Sequence, residues 1–124
     1  LKKTLITAAI GECVHVAGIA NFERLARQAG WRTIFLGPAV PIETVLDSAV
    51  KEQADLVGVS YRLTPENGER LLARFAEEAD ELQQQGVKFV FGGTPPVVEK
   101  VARLGFFDAC FDGTQTTEEI IAYL

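Results

Sequence analysis

Among 124 residues the sequence has no methionine, a single histidine (His15), one tryptophan and only two cysteines. One histidine excludes any metal centre built from several imidazoles. Cys13 and Cys110 form no CxxC pair, so neither a zinc site nor a disulfide framework is indicated. No apolar run reaches the roughly 20 residues of a membrane span. A basic stripe is also missing: 12 Lys and Arg face 17 Asp and Glu, for a net charge of -5 with the acidic residues scattered. Nucleic acid and membrane are therefore not expected partners. The lack of methionine and the start at Leu1 point to a domain excised from a larger chain. Leu1-Lys2-Lys3-Thr4 runs straight into an apolar segment, so no secretory signal is expected and a cytoplasmic setting is.

What is present is enough apolar residue, 48%, for one domain spanning 1–124. Short apolar runs alternate with amphipathic segments. Strands are predicted at Thr4–Ile10, Arg32–Leu36, Asp55–Ser60, Lys88–Phe91 and Ala109–Phe111. Helices are predicted at Gly18–Ala29, Ile42–Gln53, Pro65–Gln85, Thr94–Leu104 and Thr116–Leu124. The first helix aligns Ile19, Phe22, Leu25, Ala26 and Ala29 on one face. The third aligns Leu71, Leu72, Phe75, Ala79 and Leu82. Gly30 and Gly86 follow helices as terminators, and prolines 41, 65, 95 and 96 sit at helix starts.

Five strands alternating with five helices predict an α/β fold, a parallel sheet covered on both faces. At this length the expected architecture is a flavodoxin-like (Rossmann-like) three-layer sandwich with strand order 2-1-3-4-5. Ligands then bind beyond the carboxyl ends of the strands, where the order reverses. The loops that matter are 10–17, 60–64, 92–96 and 112–114. They do not fit a phosphorylated receiver domain, because the third strand ends in Ser60 rather than Asp and Gly92-Gly93 stands where a basic residue is needed. Nor do they fit a flavodoxin, since 10–17 is mostly apolar. A G-x-G-x-x-G dinucleotide fingerprint is absent.

They do carry Cys13-Val14-His15-Val16-Ala17-Gly18 after the first strand, Ser60-Tyr61-Arg62 after the third and Gly92-Gly93 after the fourth. Gly105-Phe106 and Asp112-Gly113-Thr114 close the chain. In this order the segments resemble the cobalamin-binding domains of adenosylcobalamin mutases and methionine synthase-type proteins, whose signature is D-x-H-x-x-G, S-x-L and G-G. The resemblance covers nearly the whole chain. It implies a corrinoid cofactor held with its own base displaced from cobalt and His15 as the lower axial ligand, imidazole being a good donor to such metals. It further implies that Cys13, Val16, Ala17, Gly18, Ser60, Arg62, Leu63, Gly92, Gly93, Phe111, Asp112 and Thr114 line the cofactor site. Ser60 would bind the buried base, Gly18, Gly92 and Gly93 would admit the nucleotide tail, and Thr114 would donate to a ribose or phosphate oxygen.

Each residue has a plainer role open to it. A lone loop histidine is usually a solvated side chain, Ser60 can cap a strand end, Gly92-Gly93 can be a simple turn, and Asp-Gly-Thr is an ordinary turn sequence. Arg62 can be a solvated charge, and Cys110 is expected in the core.

Two positions depart from the signature. Cys13 replaces the Asp that accepts the second imidazole N–H, and a thiol is a much weaker acceptor. Loss of such a partner typically weakens metal binding about 10–100-fold. Glu12 as a substitute acceptor and Cys13 itself as a cobalt ligand rank below simple weakening. Arg62 replaces leucine, and either snorkels outward or pairs with the tail's phosphate.

The chain offers no catalytic residue of its own. The expected function is the cobalamin-binding domain or small subunit of an adenosylcobalamin-dependent mutase, an isomerase whose chemistry occurs in a partner barrel, with adenosylcobalamin favoured over methylcobalamin. The alternatives are a corrinoid methyl-carrier protein serving a methyltransferase and a cobalamin-binding sensor module.

Overall fold

In the computed structural model, which describes residues 2–124, five strands and five helices alternate. They are β1 (Thr4–Ala9), α1 (Ala17–Gln28), β2 (Arg32–Phe35), α2 (Ile42–Lys51), β3 (Leu56–Ser60), α3 (Pro65–Gln84), β4 (Lys88–Gly92), α4 (Pro95–Ala102), β5 (Ala109–Phe111) and α5 (Thr117–Tyr123). The sheet order is β2-β1-β3-β4-β5 and every pairing is parallel, as the alternation of elements predicts. Helices α1 and α5 pack together, as do α3 and α4. Right-handed crossovers place the first pair on one face of the sheet and α2, α3 and α4 on the other.

The two faces are built differently, and the strand register shows how. Toward α2, α3 and α4 the sheet presents Ile6, Val57 and Phe89 in one row and Ala8, Val59, Phe91 and Cys110 in the next. This side holds the main core, where Phe75, Phe89 and Phe91 are fully buried and Phe106 and Phe107 pack edge-on and stacked around Phe75. Cys110 is half-buried against it. Burial pushes the Cys110 thiol pKa up.

Toward α1 and α5 the rows shrink along the strands. Leu5 and Leu56 lie side by side at the amino end. Next come Thr7, Gly58, Val90 and Ala109, and then Ala9, Ser60, Gly92 and Phe111. A second, smaller core of Leu5, Ala26, Leu56 and Val90 fills only the amino half of this side. The carboxyl half is left hollow.

Local details differ from the expected boundaries for identifiable reasons. Ile10 leaves the ladder for an isolated bridge to Val40, because Gly11 turns the chain at φ 65°. Asp55 stands before β3 and accepts the Thr4 N–H at 2.8 Å. Ala29, expected on the buried face of α1, is exposed: it is the helix cap, and Gly30 reverses the chain at φ 97°. The inner face of α1 also includes Glu23, a buried carboxylate that accepts from the Thr7 hydroxyl. The last helix is held by a capping box in which Thr116 and Glu119 satisfy one another's backbone N–H groups. No helix among the described residues is long and apolar enough to cross a membrane.

Candidate functional site

The hollow lies between the tapered sheet face and helices α1 and α5. It encloses about 190 Å³ and is open to solvent. Thr7, Gly58, Ser60, Val90 and Gly92 form its floor, Ile19 and Phe22 of α1 one wall, and Ile120 of α5 with Phe111, Gly113 and Gln115 the other. Phe22 and Phe111 face each other with ring centroids 5.6 Å apart.

Of the residues expected at the site, Gly18, Ser60, Arg62, Gly92, Gly93 and Phe111 are brought together around this hollow. Two of the glycines leave room for a ligand. A Cβ at Gly92 would meet only the Phe111 carbonyl at 3.9 Å, and one at Gly18 only the Arg62 guanidinium at 4.0 Å. Gly93 is glycine for a different reason. A Cβ there would lie 2.7 Å from the Tyr61 carbonyl oxygen and 3.0 Å from the Phe91 ring. That position serves the close approach of two strand ends.

Most polar side chains lining the hollow already have partners: Thr7 donates to Glu23, Asn21 accepts from Arg24, and Gln115 accepts the Asp112 N–H. Ser60 and Arg62 have no side-chain hydrogen-bond or ion-pair partner among the described residues; no fully enclosed side-chain polar atom is left unpaired among these residues, so the hydroxyl of the largely buried Ser60 keeps access to the open hollow, as does half-buried Arg62. Helix α1 also starts without a capping side chain or an acidic residue in its first turn. Its free N–H groups therefore give the mouth of the hollow a positive character.

The β1–α1 loop carries the histidine. Cys13 is fully buried, anchored by its N–H to the Ile10 carbonyl at 3.2 Å and by its own carbonyl to the Ala39 N–H at 2.8 Å. Its Sγ lies 3.7 Å from His15 Nδ1. The imidazole is exposed beyond it, flanked by Val14 at 60% exposure and by half-buried Val16. Leu63 is likewise exposed, on the β3–α3 loop. The same ring nitrogen can donate to the sulfur or accept from it, and only the first tautomer leaves Nε2 free for a metal.

Asp112 and Thr114 do not line the hollow. Asp112 Oδ1 accepts from the Thr114 hydroxyl at 2.6 Å and from its N–H at 3.0 Å. These bonds hold the Asp112 carboxyl below its ordinary pKa. The pair builds the β5–α5 loop, and the neighbours Gly113 and Gln115 face the hollow instead.

Thr7, Gly58 and Val90 escaped the sequence reading because only register brings them together. One signal existed: a glycine inside a strand marks a place where something approaches the backbone closely, and Gly58 interrupts an otherwise apolar run.

A glycine-floored hollow beside a loop that presents one exposed imidazole defines the class of protein. The chain belongs to the B12-binding domain family, whose model matches residues 3–122. Among curated relatives it is similar to the glutamate mutase sigma subunit of Clostridium tetanomorphum, at 26% identity over 85% of this chain and 81% of that protein. Among solved structures it is similar to a cobalamin-binding protein of Desulfitobacterium hafniense, with TM-score 0.80 and 19% identity over 98% of this chain and 57% of that one. The Methanosarcina barkeri monomethylamine corrinoid protein gives TM-score 0.74 and 21% identity over 97% of this chain and 56% of that one. The present chain thus spans a little over half the length of these two solved chains.

Proposed function

We propose that this domain holds a cobalamin in the base-off form, with the nucleotide tail in the hollow and His15 as the lower axial ligand of cobalt. It would act as the small subunit or cofactor domain of an adenosylcobalamin-dependent mutase. The observation that carries this reading is the pairing of need and room at one place. Ser60 and Arg62, the polar lining side chains without a partner among the described residues, both border a hollow whose floor is opened by Gly92.

The residues fit the group. The Ser60 hydroxyl is free to donate to a ring nitrogen of the displaced base. Arg62, near Gly18 and the uncapped start of α1, suits a phosphate, because a guanidinium and free helix N–H groups both favour an anion. The aromatic pair Phe22 and Phe111 supplies apolar wall. Asp112 and Thr114 act at one remove, by fixing the loop that places Gly113 and Gln115. In a mutase the bound cofactor supplies a weak cobalt–carbon bond as a source of radicals. This chain's part is to bind the corrinoid, keep its base away from cobalt and present His15. A barrel partner subunit or domain, supplying the substrate site, is part of the proposal. The similarity to a mutase subunit supports it over a methyl carrier.

The test is to mix the protein with hydroxocobalamin and adenosylcobalamin and record absorption spectra. Retained colour with base-off, histidine-on spectra is expected, with the histidine-on signature lost in His15→Ala. Absence of binding of either corrinoid at micromolar concentrations would overturn the proposal.

A further inference from the structure

We propose that Tyr61 is a positioning residue for the cobalt ligand: its ring, wedged between α3 and the β1–α1 loop, sets where His15 stands. The inference rests on the reading of His15 as that ligand.

Tyr61 lies between Ser60 and Arg62, yet it does not line the hollow that they border. Successive side chains along a strand alternate in direction, and Tyr61 turns into the main core on the α3 and α4 side. It is 5% exposed. Glycines from three other segments converge on it. A Cβ on Gly68 of α3 would lie 3.0 and 3.1 Å from the ring atoms Cδ1 and Cε1. A Cβ on Gly11 of the β1–α1 loop would lie 3.8 Å from Cε2, on the opposite edge of the ring, and 2.8 Å from Leu71 Cδ2 of α3. On the β4 side the Tyr61 N–H donates to the Gly92 carbonyl at 3.1 Å, and its own carbonyl oxygen is the atom that a Cβ on Gly93 would strike. The ring thus fills the width between α3 and the loop. Its hydroxyl makes no side-chain hydrogen bond among the described residues and is not fully enclosed. The bulk of the ring, not its polar end, carries the role.

Gly11 leads directly to the histidine. It takes φ 65° in a tight turn closed by the Cys13 N–H, which donates to the Ile10 carbonyl at 3.2 Å. The Ile10 N–H donates in turn to the Ser60 carbonyl at 3.0 Å, next to Tyr61 in the chain. Cys13 is buried, and its Sγ lies 3.7 Å from His15 Nδ1. Close-packed interiors have little slack and transmit strain. A displacement of the ring therefore passes through the Gly11 turn and Cys13 to the exposed imidazole.

The test uses the protein grown with histidine labelled by the heavy nitrogen isotope and loaded with cob(II)alamin. The sequence has one histidine, so in electron paramagnetic resonance a doublet on the cobalt lines reports His15 and a triplet reports the cofactor's own base. Wild type should show the doublet. Gly68→Ala adds a methyl that suits α3, alanine being the better helix former, but that presses the ring toward Gly11. It should stay folded, lose most of the doublet and bind cobalamin about tenfold more weakly, as removal of an outer support of a metal ligand does. Tyr61→Phe keeps the ring and should match wild type. Tyr61→Leu keeps an apolar filling but leaves Gly11 without the ring edge, and should lose the doublet as Gly68→Ala does. A doublet undiminished in Gly68→Ala and Tyr61→Leu overturns the proposal. So does a fall in urea midpoint or affinity that leaves the doublet whole, since that is the behaviour of a ring that only fills the core. A wild type that binds cobalamin and shows no doublet overturns the reading of His15 as the ligand, and the inference falls with it.

Discussion

Replacing Cys13 with aspartate isolates the weakest link in the cobalt site. The thiol sulfur stands 3.7 Å from His15 Nδ1, its own side chain fully buried and the imidazole exposed beyond it. A carboxylate reaches one bond further from Cβ, which closes the gap toward the ~2.8 Å of a charge-assisted N–H···O bond. It accepts only, so it forces the proton onto Nδ1 and leaves Nε2 free for cobalt. The thiol allows the opposite tautomer as well. Restoring the acceptor should strengthen the histidine–cobalt bond about 10–100-fold, equivalent to roughly 1.4–2.8 kcal/mol. The same change places a carboxylate where the free protein has a neutral group, and should cost about 1–3 kcal/mol of apo stability. The two effects separate cleanly. Urea unfolding of the free protein should show Cys13→Asp less stable than wild type, while titration with aquocobalamin at neutral pH should show tighter binding and more histidine-on spectrum. Coincident binding curves and spectra for the two proteins would refute the tautomer argument.

Gly93→Ala should fail to fold or unfold far more readily than wild type, because its Cβ would collide with the Tyr61 carbonyl, whereas Gly92→Ala should keep wild-type stability and lose affinity for complete corrinoids; urea midpoints and corrin titrations distinguish the two. Phe75→Ala, which empties the centre of the main core, should cost about 3–5 kcal/mol in chemical unfolding. The Asp112 carboxyl is depressed by its bonds to Thr114, so its stabilising effect should be present above the unfolded-state value and vanish as pH falls through the folded-state value. Wild type and Asp112→Ala should therefore differ in urea midpoint at neutral pH and converge in acid.

The fold was legible because short runs rich in apolar and β-branched residues alternate with amphipathic segments, with glycines at 11, 30, 37, 86 and 105 marking most of the breaks, and parallel sheets leave few alternatives at this size. The loops were legible for the same reason: once the strand ends are known, Gly18, Ser60 and Gly92 must converge. The inner end of the hollow was not. Thr7 and Gly58 are neighbours in register but 51 residues apart in the chain, and Glu23 is coded as the polar side of a helix until Thr7 is seen opposite it. Asp112 and Thr114 bond to each other while Gly113 and Gln115 line the hollow, an alternation that the turn sequence alone does not encode.

The taper of the sheet face has a consequence for the energetics of the unladen domain. One side of the sheet is complete, closed on Phe75, Phe89 and Phe91, while the other stops short, and α5 has no fully buried residue. A nucleotide tail seated there would finish the core. Folding and loading would then share a single free energy on that side, with about 2.7 kcal/mol of stabilisation at a hundredfold excess of ligand over its dissociation constant. Amide exchange should slow on loading in α5 and the first turn of α1 and barely change in α3, so that half of this small protein would behave as a host awaiting its guest and the other half as an ordinary solid.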